Sequence, residues 1–247
     1  MEKRNNFVIK KVAIIAVLAA LAIVIGLIEI PWPGLIPGLR LDLSDFITII
    51  ALGIIGVKGT SIMLFVKAVV RFVLLRLGPP YGPLGGFYEE MVALLASFMY
   101  VFAFMIASRF TKDSKPIYRI AIIGVFVTAF VTVGMILANL FFTTPMYLYF
   151  MMGADGFRFH VTVFTLLKDP QYIGFLSGAL GGEVNFQSFF IFVLTAFGPF
   201  NLVKASISAI IGTIVYDRLK TIPMMKNVWP TKISEDDNPD LVKEEEI

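Results

Sequence analysis

Apolar runs recur along this chain at Val12–Ile28, Phe46–Val57, Thr60–Leu77, Phe87–Ser108, Ile117–Phe142 and Pro199–Leu219. A helix crosses the hydrocarbon core of a bilayer with about 20 apolar residues, so most of these runs are of spanning length. Hydrophobic residues make up 57% of the 247, charged residues only 16%, and the mean hydropathy is +0.83. A water-soluble domain of that composition has no polar shell for its apolar surface, whereas a bundle facing lipid needs none. The chain reads as an all-α integral membrane protein, a six-transmembrane-helix bundle.

The first run follows Lys10 and Lys11 and is followed by Glu29-Ile-Pro-Trp-Pro, not by a small-residue cleavage site, so it reads as a retained helix. The second run is short, either tilted into its flanks or partly buried in protein. Turn residues separate the runs: Pro31, Pro33, Gly34, Pro37 and Gly38, then Lys58-Gly59, then Gly78-Pro-Pro-Tyr-Gly-Pro. A further apolar run, Phe186–Phe197, follows a long loop of about residues 143–185. Lys3, Arg4, Lys10, Lys11, Lys58, Arg109, Lys112, Lys115, Arg119, Arg218, Lys220 and Lys226 fall on one side of a six-span frame. The positive-inside rule makes that side the cytoplasm, places both termini there and puts the loops Glu29–Ser44 and Thr143–Asn185 outside. Residues 1–222 form the membrane domain; the polar, acidic stretch 223–247 is expected to be a disordered cytoplasmic tail.

Several classes of chemistry are excluded or left without support. The chain has no cysteine, hence no disulfide, thiol nucleophile or thiolate metal site, and a single histidine, His160, leaves any metal site poorly supplied. No phosphate-cradling glycine loop with Lys-Ser/Thr is present, so ATP hydrolysis by that route is out. Nothing in the small net charge of +3 implies a nucleic-acid partner. Glu89-Glu90 is similar to the paired glutamates of intramembrane prenyl-protein proteases, but Leu94 stands where those carry arginine. The chain is not read as an enzyme.

Five polar residues stand in or beside the apolar runs without a structural need for them: Lys67, Arg71, Asn139, Asn201 and Lys204. A charge in a membrane span costs roughly 2.5 kcal/mol or more unless partnered, so such residues mark pockets or pairs. Lys67 and Arg71, four apart, share a helix face, and Glu89 or Glu90 across the next turn are the available counterions; the alternative role is to line the outer mouth of a pocket. Asn201 and Lys204, three apart, share a face below Pro199, read as a helix start that frees backbone groups. Asn139 either binds a ligand or hydrogen-bonds helix to helix. Asp42 and Asp45 precede an apolar run and read as helix caps. Trp32 and Trp229 read as interface anchors. On the first helix, Ala13, Ala16, Ala19, Ala20 and Ala22 allow close helix approach, within the bundle or against a membrane partner, with Ala16 and Ala20 a small-xxx-small pair.

Leu35-Ile-Pro-Gly-Leu-Arg-Leu-Asp-Leu-Ser-Asp45 resembles the first loop of the riboflavin-specific substrate-binding (S) components of energy-coupling-factor vitamin transporters. Gly198-Pro-Phe-Asn-Leu-Val-Lys204, with Tyr216-Asp-Arg-Leu219, resembles the ends of that family's sixth helix, and Val66-Lys67 with Gly85-Gly-Phe-Tyr-Glu89 is a weaker match. This chain departs from the family in Ala68 and Arg71, where an amide and a histidine are usual, and in its longer outer loop. The resemblance implies a cell-membrane binding subunit for riboflavin or a related flavin, or for another vitamin, in a prokaryotic plasma membrane. A flat ring edge and a polyol tail then meet Asn139, Asn201 and Lys204, with Lys67 and Glu89 at the mouth and Leu41 and Leu43 closing over the ring. It implies no cofactor beyond that transported ligand. Energy would come from partners, a transmembrane coupling subunit docking on Ala16 and Ala20 and two cytoplasmic ATPases. A stand-alone secondary carrier, the other reading, needs an intramembrane acid that no isolated mid-helix Asp or Glu supplies.

Overall fold

The computed structural model describes residues 2–33, 39–76, 82–152, 161–180 and 182–221; His160, Trp229 and the expected tail lie outside them. Helix α1 (Glu2–Gly26) leads into a short antiparallel hairpin, β1 (Glu29–Pro31) with β2 (Arg40–Asp42), in the register Glu29 to Asp42 and Pro31 to Arg40. Then come α2 (Asp45–Leu75), α3 (Gly82–Phe110) and α4 (Pro116–Ala138). A π-turn over Asn139–Thr143 continues into α5 (Thr144–Met151), and α6 (Val163–Leu166), α7 (Pro170–Leu180) and α8 (Phe186–Thr221) follow. Among the described residues, five helical segments are long and apolar enough to cross a membrane: Ile9–Gly26, Asp45–Leu75, Gly82–Phe110, Pro116–Met151 and Phe186–Leu219.

The second and third apolar runs meet at a single residue. Gly56, at φ 66 and ψ −176, is the non-helical point inside α2. That left-handed φ is open to glycine at little cost. The sequence reading puts the break at Lys58-Gly59, but both those residues are helical and the chain reverses just before them. Reversal follows from one contact: Lys67 Nζ donates to Ser44 Oγ at 2.6 Å. In a straight helix the 23-residue separation spans roughly 35 Å. The two arms of α2 therefore fold back on each other, with Ile47, Ile50, Ala51 and Ile55 of the first packed with Met63 and Leu64 of the second.

Two further boundaries differ from the sequence reading. The apolar run ending at Phe142 continues to Met151, because the chain widens into a π-turn instead of stopping: Thr144 N–H donates to Asn139 O, one residue beyond α-helical spacing. Pro145, which has no N–H to give the Phe141 carbonyl, lies just beyond this turn. Similarly, Phe186–Phe197 and Pro199–Leu219 are one helix, so Pro199 sits inside α8 and not at its start. The freed carbonyl is that of Thr195, one turn above Pro199.

Helix α1 splits its alanines between two surfaces. Leu18, Ala19 and Ala22 are buried against α2, whereas Ala13, Ala16 and Ala20 face outward with Val17, Leu21 and Val24. The main core runs between α3, α4 and α8, through Tyr100, Phe104, Ile123, Val127, Ala205 and Ala209. A second core, with Leu140, Leu148, Val163, Leu166, Leu176, Phe189 and Val193, joins α6 and α7 to the first turns of α8. Part of the segment expected to be an outer loop is thus packed helix.

Candidate functional site

At the first turn of α2, the carboxylate of Asp45, only 2% exposed, gathers side chains from three other helical segments. Its Oδ2 lies 3.0 Å from Lys204 Nζ on α8, its Oδ1 accepts from Ser97 Oγ on α3 at 2.7 Å, and Lys67 Nζ on the returning arm is 4.0 Å away. Asp45 is therefore not the helix cap that the sequence suggests: Ser44 occupies the cap position and no side chain caps it. Asp42 does brace the helix start, its Oδ1 accepting from the Ser44 N–H at 2.7 Å. A buried carboxylate beside two ammonium groups is stable only because each charge has a partner within reach.

A second layer of pairs lies alongside. Arg71, 3% exposed, donates to Glu90 Oε1 at 3.2 Å, to Asp42 Oδ2 at 3.1 Å and to the Gly26 carbonyl at 3.4 Å, tying together α1, β2, α2 and α3. Arg76, just past α2, pairs with Glu89 at 3.0 Å and Glu90 at 3.2 Å, and lies 3.9 Å from Glu29. Burial works against the Arg76 guanidinium, but the surrounding glutamates outweigh it and raise its pKa above the ordinary value. These glutamates reach Arg76 because Gly86 lets α3 pass close: a Cβ there would run into the Arg76 carbonyl oxygen. Glu29 also accepts from Arg40 across the β1–β2 hairpin at 2.8 Å.

The expected partners are thus partly reassigned. Arg71 does find Glu90, but Lys67 pairs with Asp45 and Ser44, and Glu89 faces Arg76 instead of Lys67. The reason is the fold-back at Gly56, which sets Lys67 level with Asp45, while Glu89 and Glu90 begin level with the end of the second arm. Leu41, buried, and Leu43, half-buried, flank Asp42 at this same end. The ring of Trp32 meets Phe200 edge-on, with centroids 5.7 Å apart. It thereby draws the β1–β2 hairpin to the α8 residue next to Asn201.

Both asparagines are buried and bonded to their own helices. Asn201 Nδ2 donates to the Phe197 carbonyl at 2.9 Å, two residues before Pro199. Asn139 Nδ2 donates to Met135 O at 2.7 Å, and its Oδ1 accepts from Thr143 Oγ1 at 2.5 Å, so this side chain is built into the π-turn. That turn packs against α8. Asn201 and Lys204 lie three residues apart on α8, and Lys204 is half-buried with one ammonium hydrogen committed to Asp45. An ammonium has three donors, so further acceptors can be met there. Ala16 and Ala20 lie on α1, on an outward face apart from this cluster.

A crevice of only about 10 Å³ opens between the second arm of α2 and α3, with Lys67, Glu90 and Ser97 among its lining. Ligand pockets usually measure about 300 Å³ or more, so this crevice borders the site and does not hold a ligand by itself. Sequence reasoning misses Asp45 as the hub, together with Ser97 and Arg76. One signal was available: Asp45 and Lys67 stand equally far from Gly56, so a helical hairpin turning there sets them side by side.

Residues 10–216 match the family model for the substrate-specific component of ECF transporters. The chain is 22% identical over 214 residues to the riboflavin transporter FmnP of Bacillus subtilis (strain 168), covering 86% of this chain and 93% of that protein. Among solved structures, the S component of a bacterial ECF transporter superposes with a TM-score of 0.53 at 19% identity, over 88% of this chain and 96% of the other. The S component for biotin from an ECF-type ABC transporter gives a TM-score of 0.43 at 19% identity, over 86% and 94%. The first of these superpositions shows a shared fold.

Proposed function

This chain belongs to the substrate-specific components of ECF transporters, and on that premise we propose that it is the membrane subunit that binds riboflavin or a close flavin. The observation that carries the reading is the cluster on α8, where buried Asn201 and half-buried Lys204 lie one turn apart beside a bound counterion, Asp45. An amide offers both a donor and an acceptor, and an ammonium suits a carbonyl oxygen, the pattern of a uracil-like ring edge. The similarity to the Bacillus subtilis riboflavin transporter favours that ring over other vitamins. Asn139, Leu41 and Leu43 complete the proposed pocket, and Lys67 acts through Asp45. Glu89, held by Arg76, belongs to the outer rim of the same end.

In this reading the two arms of α2 are separate crossings, which with α1, α3, α4 and α8 gives six, and both termini face the cytoplasm. The fold-back at Gly56 and the alternation of basic loops support that count. A transmembrane coupling subunit and two ATPases supply the energy, and the coupling subunit docks on the outward alanines of α1. Riboflavin added to the purified protein should lose its fluorescence in a saturable titration, and protein from flavin-replete cells should be yellow. A colourless preparation that leaves added riboflavin fluorescence unchanged would remove the flavin assignment. Within that titration, Asn201→Leu is expected to weaken binding by roughly 1–3 kcal/mol, the penalty for leaving a buried polar edge unpaired. Unchanged affinity in a folded variant takes Asn201 out of the pocket.

A further inference from the structure

The inner charges of the site cancel. Asp42, Asp45 and Glu90 face Lys67, Arg71 and Lys204, three against three, and every one of the six lies within 4.0 Å of an opposite charge. Arg71 pairs with two carboxylates, Asp42 and Glu90, the second of which it shares with Arg76. The two ammonium groups, by contrast, share one carboxylate: Asp45 is the acid within ion-pair distance of both Lys67 and Lys204. Without it two positive charges, one buried and one half-buried, would stand in the site, and any anion entering would be attracted by both.

We infer that Asp45 sets the charge selectivity of the pocket, holding it neutral so that an uncharged carbonyl-bearing ligand is preferred to an anionic analogue of the same shape. The inference rests on the flavin reading, in which Lys204 meets a ring carbonyl. Asp45 acts on the ligand through Lys204, as a positioning and charge-compensating residue. Its Oδ2 fixes the Lys204 ammonium from one side, and its Oδ1 accepts from Ser97, so the carboxylate is held at both oxygens when a ligand arrives. In a low-dielectric site one unit of net charge is felt over several ångströms, far enough to reach a phosphate carried on a ligand's tail.

Riboflavin and riboflavin 5′-phosphate share the ring and differ by the tail's charge, so the ratio of their dissociation constants reads the effect. In the wild-type protein riboflavin is expected to bind more tightly. Asp45→Asn should shift that ratio toward the phosphate by roughly tenfold, and adding Lys67→Met to it should bring the ratio back. Lys67→Met alone, which leaves the site with a net negative charge, should shift the ratio the other way. A merely structural role for Asp45 lowers both affinities together and leaves the ratio unmoved; that result overturns the inference. If Asp45→Asn does not yield folded protein, the Lys67→Met arm decides: an unchanged ratio there overturns it equally. A wild-type protein that binds neither flavin rejects the functional reading and this inference with it, a result distinct from an unmoved ratio in proteins that bind.

Discussion

Arg71→Met is expected to destabilise the folded bundle by about 3–5 kcal/mol, the range for removing one partner of a buried ion pair. Methionine fills much the same space, so the loss is not one of packing. It comes from three acceptors left behind: Asp42 Oδ2, Glu90 Oε1 and the Gly26 carbonyl. Glu90 keeps Arg76, which places the effect toward the lower end of the range. Arg40→Ala is the control, since its pair with Glu29 has the arginine 61% exposed and such pairs contribute about 1 kcal/mol or less. Thermal unfolding in detergent, read by circular dichroism, compares the two. An Arg71→Met midpoint no lower than that of Arg40→Ala would mean that the buried network is not what fastens β2 to the helices.

The other large effect is expected on transport alone. Ala16→Trp or Ala20→Trp places an indole on the outward face of α1, where a close helix contact would be lost. Neither residue is among the buried alanines of that helix, Ala19 and Ala22, so the bundle itself has room for the change. If this face docks the coupling subunit as proposed, affinity for the proposed flavin in detergent should therefore survive while uptake by cells and co-purification with that subunit are abolished. Loss of ligand binding in both variants would show that this face packs within the bundle after all, and full uptake would move the docking surface elsewhere.

Much of the architecture is legible in the sequence because lipid imposes a simple rule: long apolar runs become helices. The long apolar helices follow from that rule, as does the inward turn of the polar residues within them: Lys67, Arg71, Asn139 and Asn201 are buried, and Lys204 is paired with Asp45. What the runs do not carry is how one helix ends and the next begins. Lys58-Gly59 reads as a turn by composition, yet the left-handed residue is Gly56, and a shift of that size changes which side chains face each other. Pro199 reads as a helix start because proline favours first turns, but apolar residues on both sides let the helix run through it. Asp45 reads as a cap because aspartate before an apolar run usually is one; its pairing with Lys204 joins residues 159 positions apart, which no local pattern encodes. The alanines of α1 are visible as small residues, but only the packed helix separates an inward pair from an outward one.

The single glycine at the bend of α2 makes the site sensitive to chain length as well as to chemistry. Asp45 and Lys67 each lie eleven residues from Gly56, so the two arms form a gauge with equal legs and one pivot. Inserting or deleting one residue in either leg would turn everything beyond it by about 100° around the helix axis and shift it by about 1.5 Å along it. In the first leg this would turn the carboxylate away from both ammonium groups, and in the second it would turn Lys67 away from the carboxylate, without any charged residue having been changed. Residue count between the pivot and the ionic hub is thus a constraint in its own right, additional to the packing of the leg residues.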